Sequence, residues 1–126
     1  MQSVLDIHAD GWEKEILGYK YLVAVDFWHE GCPWCSKLNP ILEEVAEEYK
    51  GRVRFARMNV FESDGNRNIA IKHGIMATPT LVFLCDGRPV QVVTGFQEKE
   101  NLRKIIDDVI EKHRDCLEKA TPLETS

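Results

Sequence analysis

Two cysteines stand three residues apart in WHEGCPWCSK, residues 28–37, just after a strongly apolar run. Thiols at that spacing can hold a metal, form a structural staple or exchange electrons with another disulfide. A structural zinc site needs four ligands, usually two such pairs. This chain offers one pair. His29 lies three residues before Cys32, but no fourth ligand is in view. Two helical positions three apart share a face, so Cys32 and Cys35 can close a small disulfide ring with little backbone movement. Redox exchange is the chemistry that fits best.

The elements that position the pair are legible around it. Residues 21–28, YLVAVDFW, are apolar on both alternating faces, as in a central parallel strand. From Pro33 to Lys50, Leu38, Ile41, Leu42, Val45, Ala46 and Tyr49 repeat at helical spacing, and Gly51 supplies the stop. Pro33 suits a first helical turn, where its missing N–H costs nothing. Pro40 lies inside the pattern and is expected to kink it. Cys32 therefore stands where unpaired N–H groups and the helix dipole favour an anion, which stabilises a thiolate. Cys35 is one turn inward and expected to be more buried.

Asp26 shares a strand face with Leu22, Ala24 and Trp28, an acid among apolar groups. Desolvation raises the pKa of such a group, which makes Asp26 a candidate proton acceptor for Cys35; the alternative is a carboxylate hydrogen-bonded for structure alone. Arg57 shares a face with Val53 and Phe55 and either pairs with Asp26 or faces solvent. His29 reads as a solvated loop residue, although its protonated ring could favour the Cys32 thiolate. Cys85 reads as a part-exposed bystander and Cys116 as a small hydrophobe on the last helix. A regulatory disulfide between these two is the least favoured reading.

Around this centre, residues 3–7 form a short edge strand, and Asp10 with Glu13 suggests a capping box for a helix carrying Trp12, Ile16 and Leu17. Residues 53–60 make another strand. Residues 61–68 read as a polar loop before a short helix around Asn68–His73. Strands near 80–85 and 90–94 join through Asp86-Gly87 as a hairpin. Leu102, Ile105, Ile106, Val109, Ile110 and His113 mark a long amphipathic helix, with the charged run at 98–100 as its solvated start. The order is β-α-β-α-β-α-β-β-α, an α/β fold whose mixed sheet carries helices on both faces.

With 126 residues, 44% hydrophobic and 29% charged, the chain suits one globular domain, residues 1–117, with a polar tail at 118–126 expected to be disordered. A net charge of −5 without a basic stripe argues against nucleic acid. No apolar run approaches the roughly 18 residues of a membrane span, and the start does not read as a signal peptide. The expectation is a cytoplasmic, monomeric protein with no membrane partner. In a reducing compartment a close cysteine pair is catalytic or metal-binding rather than structural.

VDFWHEGCPWCSKLNP resembles the active-site segment of the thioredoxin family, usually VDFWA-x-WCGPCK with a proline five residues after the second cysteine. HGIMATPTLVFLCDGRPV resembles the family's stretch around its cis-proline, and VTGF its substrate-side glycine loop. The likeness covers residues 3–112 and implies a thioredoxin fold with thiol–disulfide oxidoreductase activity. It implies Cys32 as the attacking thiolate, Cys35 as the resolving thiol and Asp26 as the buried carboxylate beneath them. Pro79 would be the cis-proline, Thr78 would offer backbone hydrogen bonds to a substrate chain, and Gly95 would lie beside it. No bound cofactor or metal is implied; electrons would pass between disulfide-containing substrate proteins and a separate reductase.

Four positions depart from the pattern. Gly31 replaces the tryptophan before the first cysteine, and Pro33-Trp34 replaces the usual Gly-Pro, closer to a glutaredoxin, so Trp34 becomes the aromatic rim. Thr78 replaces the common isoleucine, as in disulfide isomerases. A glutaredoxin-like reductase, an oxidase or isomerase, and a non-catalytic binding module are therefore the rival readings.

Overall fold

The computed structural model describes residues 3–117. In chain order these form β1 (Val4–Asp6), α1 (Ala9–Trp12) with a π turn over Glu13–Leu17, β2 (Leu22–Trp28), α2 (Pro33–Glu48) and β3 (Arg54–Asn59). They continue as α3 (Asp64–Lys72), β4 (Thr80–Cys85), β5 (Arg88–Thr94), α4 (Lys99–Lys112) and a closing 3-10 turn over Arg114–Cys116. The expected order of strands and helices is present. The polar tail at 118–126 lies outside the described residues.

The sheet runs β1-β3-β2-β4-β5. β1 and β2 are parallel to β3, and β4 is antiparallel to both β2 and β5. Alternation along β2 divides the core into two layers. Leu22 and Ala24 pack with Leu38 and Leu42 of α2 and Leu102 and Ile106 of α4. Val23, Val25 and Phe27 pack on the other face with Trp12, Ile16 and Ala70. Because β2 is buried on both faces, its end is a firm platform for the cysteine pair. Asp86 and Gly87 both have positive φ, 53° and 78°, the geometry a two-residue hairpin turn demands.

Two helix starts differ from expectation. Asp10 does not cap α1: His8 is the N-cap and makes no side-chain cap bond. Instead the Ala9 N–H donates to Asn66 Oδ1 at 2.8 Å, a tertiary cap. α3 begins at Asp64 rather than near Asn68, because the Ser63 hydroxyl accepts the Asn66 N–H at 3.1 Å and starts the helix. The glycine at 65 makes that stretch look like loop.

A further difference concerns the second pair of thiols. Cys85 and Cys116 are joined in a disulfide with Cα atoms 5.9 Å apart, which overturns the bystander and lone-hydrophobe readings. The register pairs Cys85 with Leu22, at the start of β2, so this bond sits at the opposite end of the sheet from Cys32. The turn after α4 delivers Cys116 there. Closing a loop with a separation of 31 residues restricts the unfolded chain and contributes just under about 4 kcal/mol. Cys116→Ser is therefore expected to lower the urea midpoint of the oxidised protein, while parent and variant converge once both are fully reduced. Equal midpoints under oxidising conditions would show that the bond adds no stability.

Candidate active site

The site starts from the way α2 leaves the sheet. β2 ends at Trp28, and Gly31, at φ +83°, turns the chain through the left-handed region that favours glycine. Cys32 then occupies the N-cap of α2 with extended backbone, and Pro33 follows at the first helical position. The Cys32 sulfur accepts the N–H of Cys35 at 3.2 Å. The two cysteines form a disulfide with Cα atoms 5.2 Å apart. Cys32 is 7% exposed and Cys35 1%, so the first cysteine is the less buried of the two. Pro40 lies within α2 without ending it.

Alternation puts Asp26 on the same sheet face as Leu22 and Ala24, the face that α2 covers. It is 0% exposed, and neither carboxylate oxygen has a hydrogen-bond partner among the described residues. Burial pushes its pKa up to about 7, while the positive charge of Arg57 pulls in the opposite direction. Arg57 stands opposite Asp26 in the β2–β3 register. Its guanidinium neither binds Asp26 nor faces solvent: it pairs with Asp6 at 3.2 Å and Glu43 at 3.4 Å. Asp26 is thus left as an unpaired buried acid that titrates near neutral pH.

The surface beside Cys32 comes from the loops before β4 and after β5. The Thr78-Pro79 peptide is cis, and Gly95 N–H donates to the Pro79 carbonyl at 2.7 Å. Both ladders of β4 begin at Thr80, so neither uses the backbone of Thr78. Thr78, Pro79, Gly95, Trp34 and Phe96 line a shallow hollow of about 350 Å³. Trp34 is 53% exposed, and its ring lies 5.3 Å from that of Phe96. Lys37 Nζ sits 5.1 Å from the Trp34 centroid. An exposed apolar rim around a reactive sulfur is the kind of patch that meets other proteins.

Trp34, Thr78, Pro79 and Gly95 thus share one hollow, with Gly31 on the loop leading into Cys32. Phe96 was not anticipated, and His29 was read first as a solvated loop residue. Phe96 pairs with Trp34, a role its place directly after Gly95 could have signalled. His29 is no solvated loop residue: its Nδ1 lies 2.9 Å from the Thr78 hydroxyl, a contact between distant segments that no local pattern reveals. Chemically, the arrangement offers a disulfide at a helix N-terminus, with its first cysteine the less buried of the two, and an unpaired carboxyl group held in the core.

The thioredoxin family model matches residues 3–108. The thioredoxin of Staphylococcus aureus strain MW2 is 42% identical over 83 residues, 66% of this chain and 77% of that relative. The thioredoxin of Staphylococcus aureus strain N315 matches to the same extent. Among the described residues, no helix is long and apolar enough to cross a membrane. With the family matched over most of its length and a cysteine pair at disulfide distance, the chain belongs to the thioredoxin family and is a thiol–disulfide oxidoreductase.

Proposed function

We propose that this protein is a reductant of protein disulfides, with Cys32 as nucleophile, Cys35 as resolving thiol and Asp26 as proton acceptor. The Cys32 thiolate attacks one sulfur of a substrate disulfide, forming a mixed disulfide and releasing the other sulfur as a thiolate that takes a proton from water. Cys35 gives its proton to the Asp26 carboxylate, attacks the Cys32 sulfur and displaces the second substrate thiolate. Two electrons have then left the pair, which is oxidised. The substrate approaches as an extended chain over Gly31, Trp34, Pro79 and Gly95, pairing with the backbone of Thr78.

One observation supports this reading: a disulfide stands at the N-terminus of α2, and a buried acid whose pKa is pushed up to about 7 lies on the sheet face that α2 covers. Thioredoxin-family proteins in general act on disulfide substrates and are served by a reductase partner. A thioredoxin-reductase-like donor, a monomeric state and a cytoplasmic location complete the proposal. In that compartment the Cys85–Cys116 pair is expected to be reduced as well.

A second reading, as an isomerase or oxidase, is favoured by the Thr78 hydroxyl, 3.6 Å from Cys32 Sγ. A donor to the thiolate stabilises the reduced form and makes a pair more oxidising. The equilibrium reduction potential of Cys32–Cys35 against glutathione separates the two. A value near ~−270 mV supports a reductant, and one near ~−180 mV supports the isomerase-like reading.

A further inference from the structure

His29 leaves the end of β2 with its ring against Phe61, centroids 4.9 Å apart. Its Nδ1 lies 2.9 Å from Thr78 Oγ1, and that same hydroxyl lies 3.6 Å from Cys32 Sγ. A hydroxyl has a single proton to donate. Given to the sulfur, it requires Nδ1 to carry a proton and donate to the oxygen. Given to Nδ1, it leaves the sulfur with the Cys35 N–H as donor and nothing from Thr78. Reduction decides between the two, because a thiolate is a charged acceptor and charge-assisted hydrogen bonds are roughly twice as strong as neutral ones.

We propose that His29 is a positioning residue for the exchange reaction, turning the Thr78 hydroxyl so that it donates to the Cys32 thiolate. The chain of donors runs Nδ1–H to Oγ1–H to Sγ, so His29 acts through Thr78 and never touches the substrate. Each link polarises the next, which strengthens the bond at sulfur. Other charged groups near the cluster are Arg67, which lines the same hollow as His29 and Thr78, the adjacent Glu30, and the buried Asp26. None of these changes in the variants below, so their fields cancel between them.

The proposal rests on Cys32 being the attacking thiolate, and the test distinguishes the two ideas. The probe is iodoacetamide, applied briefly to the fully reduced chain from pH 5 to 9, with each cysteine mapped by mass spectrometry. Thr78→Val is expected to raise the pH midpoint of Cys32 alkylation by about one unit, a tenfold loss of thiolate below it. Thr78→Ser keeps the hydroxyl and is expected to stay with the parent. His29→Ala is expected to cost about threefold in the parent and nothing further in Thr78→Val. That non-additivity is what a purely structural role would not produce. Equal costs of His29→Ala in both backgrounds, an unmoved midpoint in Thr78→Val, or no retention by Thr78→Ser would each overturn the relay while leaving Cys32 as nucleophile. If Cys32 in the parent is not the fastest-labelling cysteine, the catalytic assignment fails, and the relay fails with it.

Discussion

Cys35→Ser accumulates covalent, dithiothreitol-sensitive adducts with disulfide-bearing proteins, and Cys32→Ser forms none. The asymmetry follows from the two environments. Cys32 stands at the N-cap beside an exposed hollow, whereas Cys35 is 1% exposed and one turn inside α2. Without Cys35 the first exchange proceeds and the second cannot, so the mixed disulfide persists. Turnover falls by on the order of a hundredfold or more, as expected when one member of a cooperating unit is removed. Cys85→Ser and Cys116→Ser trap no more than the parent, since that pair lies at the other end of the sheet. Non-reducing gels of a cell extract passed over each immobilised variant read the result. Adducts that survive Cys32→Ser but vanish with Cys85→Ser would move the nucleophile elsewhere.

Asp26→Asn stabilises the protein at alkaline pH and slows the second chemical step. Burial raises the carboxyl from 3.8 to about 7 in the folded chain. Between those values the folded chain keeps a proton that the unfolded chain has released, so stability falls as pH rises through that window. Below it the acid costs nothing by this route; above it the full penalty, on the order of 4 kcal/mol, applies. Asparagine does not ionise, so the advantage of the variant grows from near zero at pH 4 to that size at pH 8. Urea midpoints at a series of pH values would show it, and a difference constant with pH would mean the carboxylate carries no desolvation cost. The price is kinetic: losing a general base typically costs 10²–10⁴-fold. Release of the mixed disulfide is thus expected to slow about a hundredfold at pH 8 and to approach the parental rate below pH 6, where the parent's own acid is protonated.

Much of this site is written in local pattern. A strand apolar on both faces, a proline at a helix start and a cysteine spacing of three each act over a few residues, so they were readable directly. Asp26 was legible because a lone acid on an apolar strand face has no other destination than the core. What escaped depends on contacts between distant segments. Asn66 caps α1 from a helix that starts with Ser63, and nothing near Ala9 reports it. Arg57 was read as either paired with Asp26 or facing solvent; it stands opposite Asp26 in the register, yet Asp6 and Glu43 draw its guanidinium away. His29 finds Thr78 across 49 positions, and Cys85 finds Cys116 across 31. Each of these needs the sheet order, because strand pairing decides which chain ends meet.

The claim that electrons leave through Cys32 and Cys35 is tested most directly by mapping where oxidation lands. The fully reduced protein is mixed with excess insulin, quenched with N-ethylmaleimide at intervals, and its disulfides are located by mass spectrometry. The expected result is one Cys32–Cys35 disulfide formed for each insulin disulfide reduced, with Cys85 and Cys116 still carrying the label at early times. Early formation of a Cys85–Cys116 disulfide, with Cys32 and Cys35 both labelled, would contradict it.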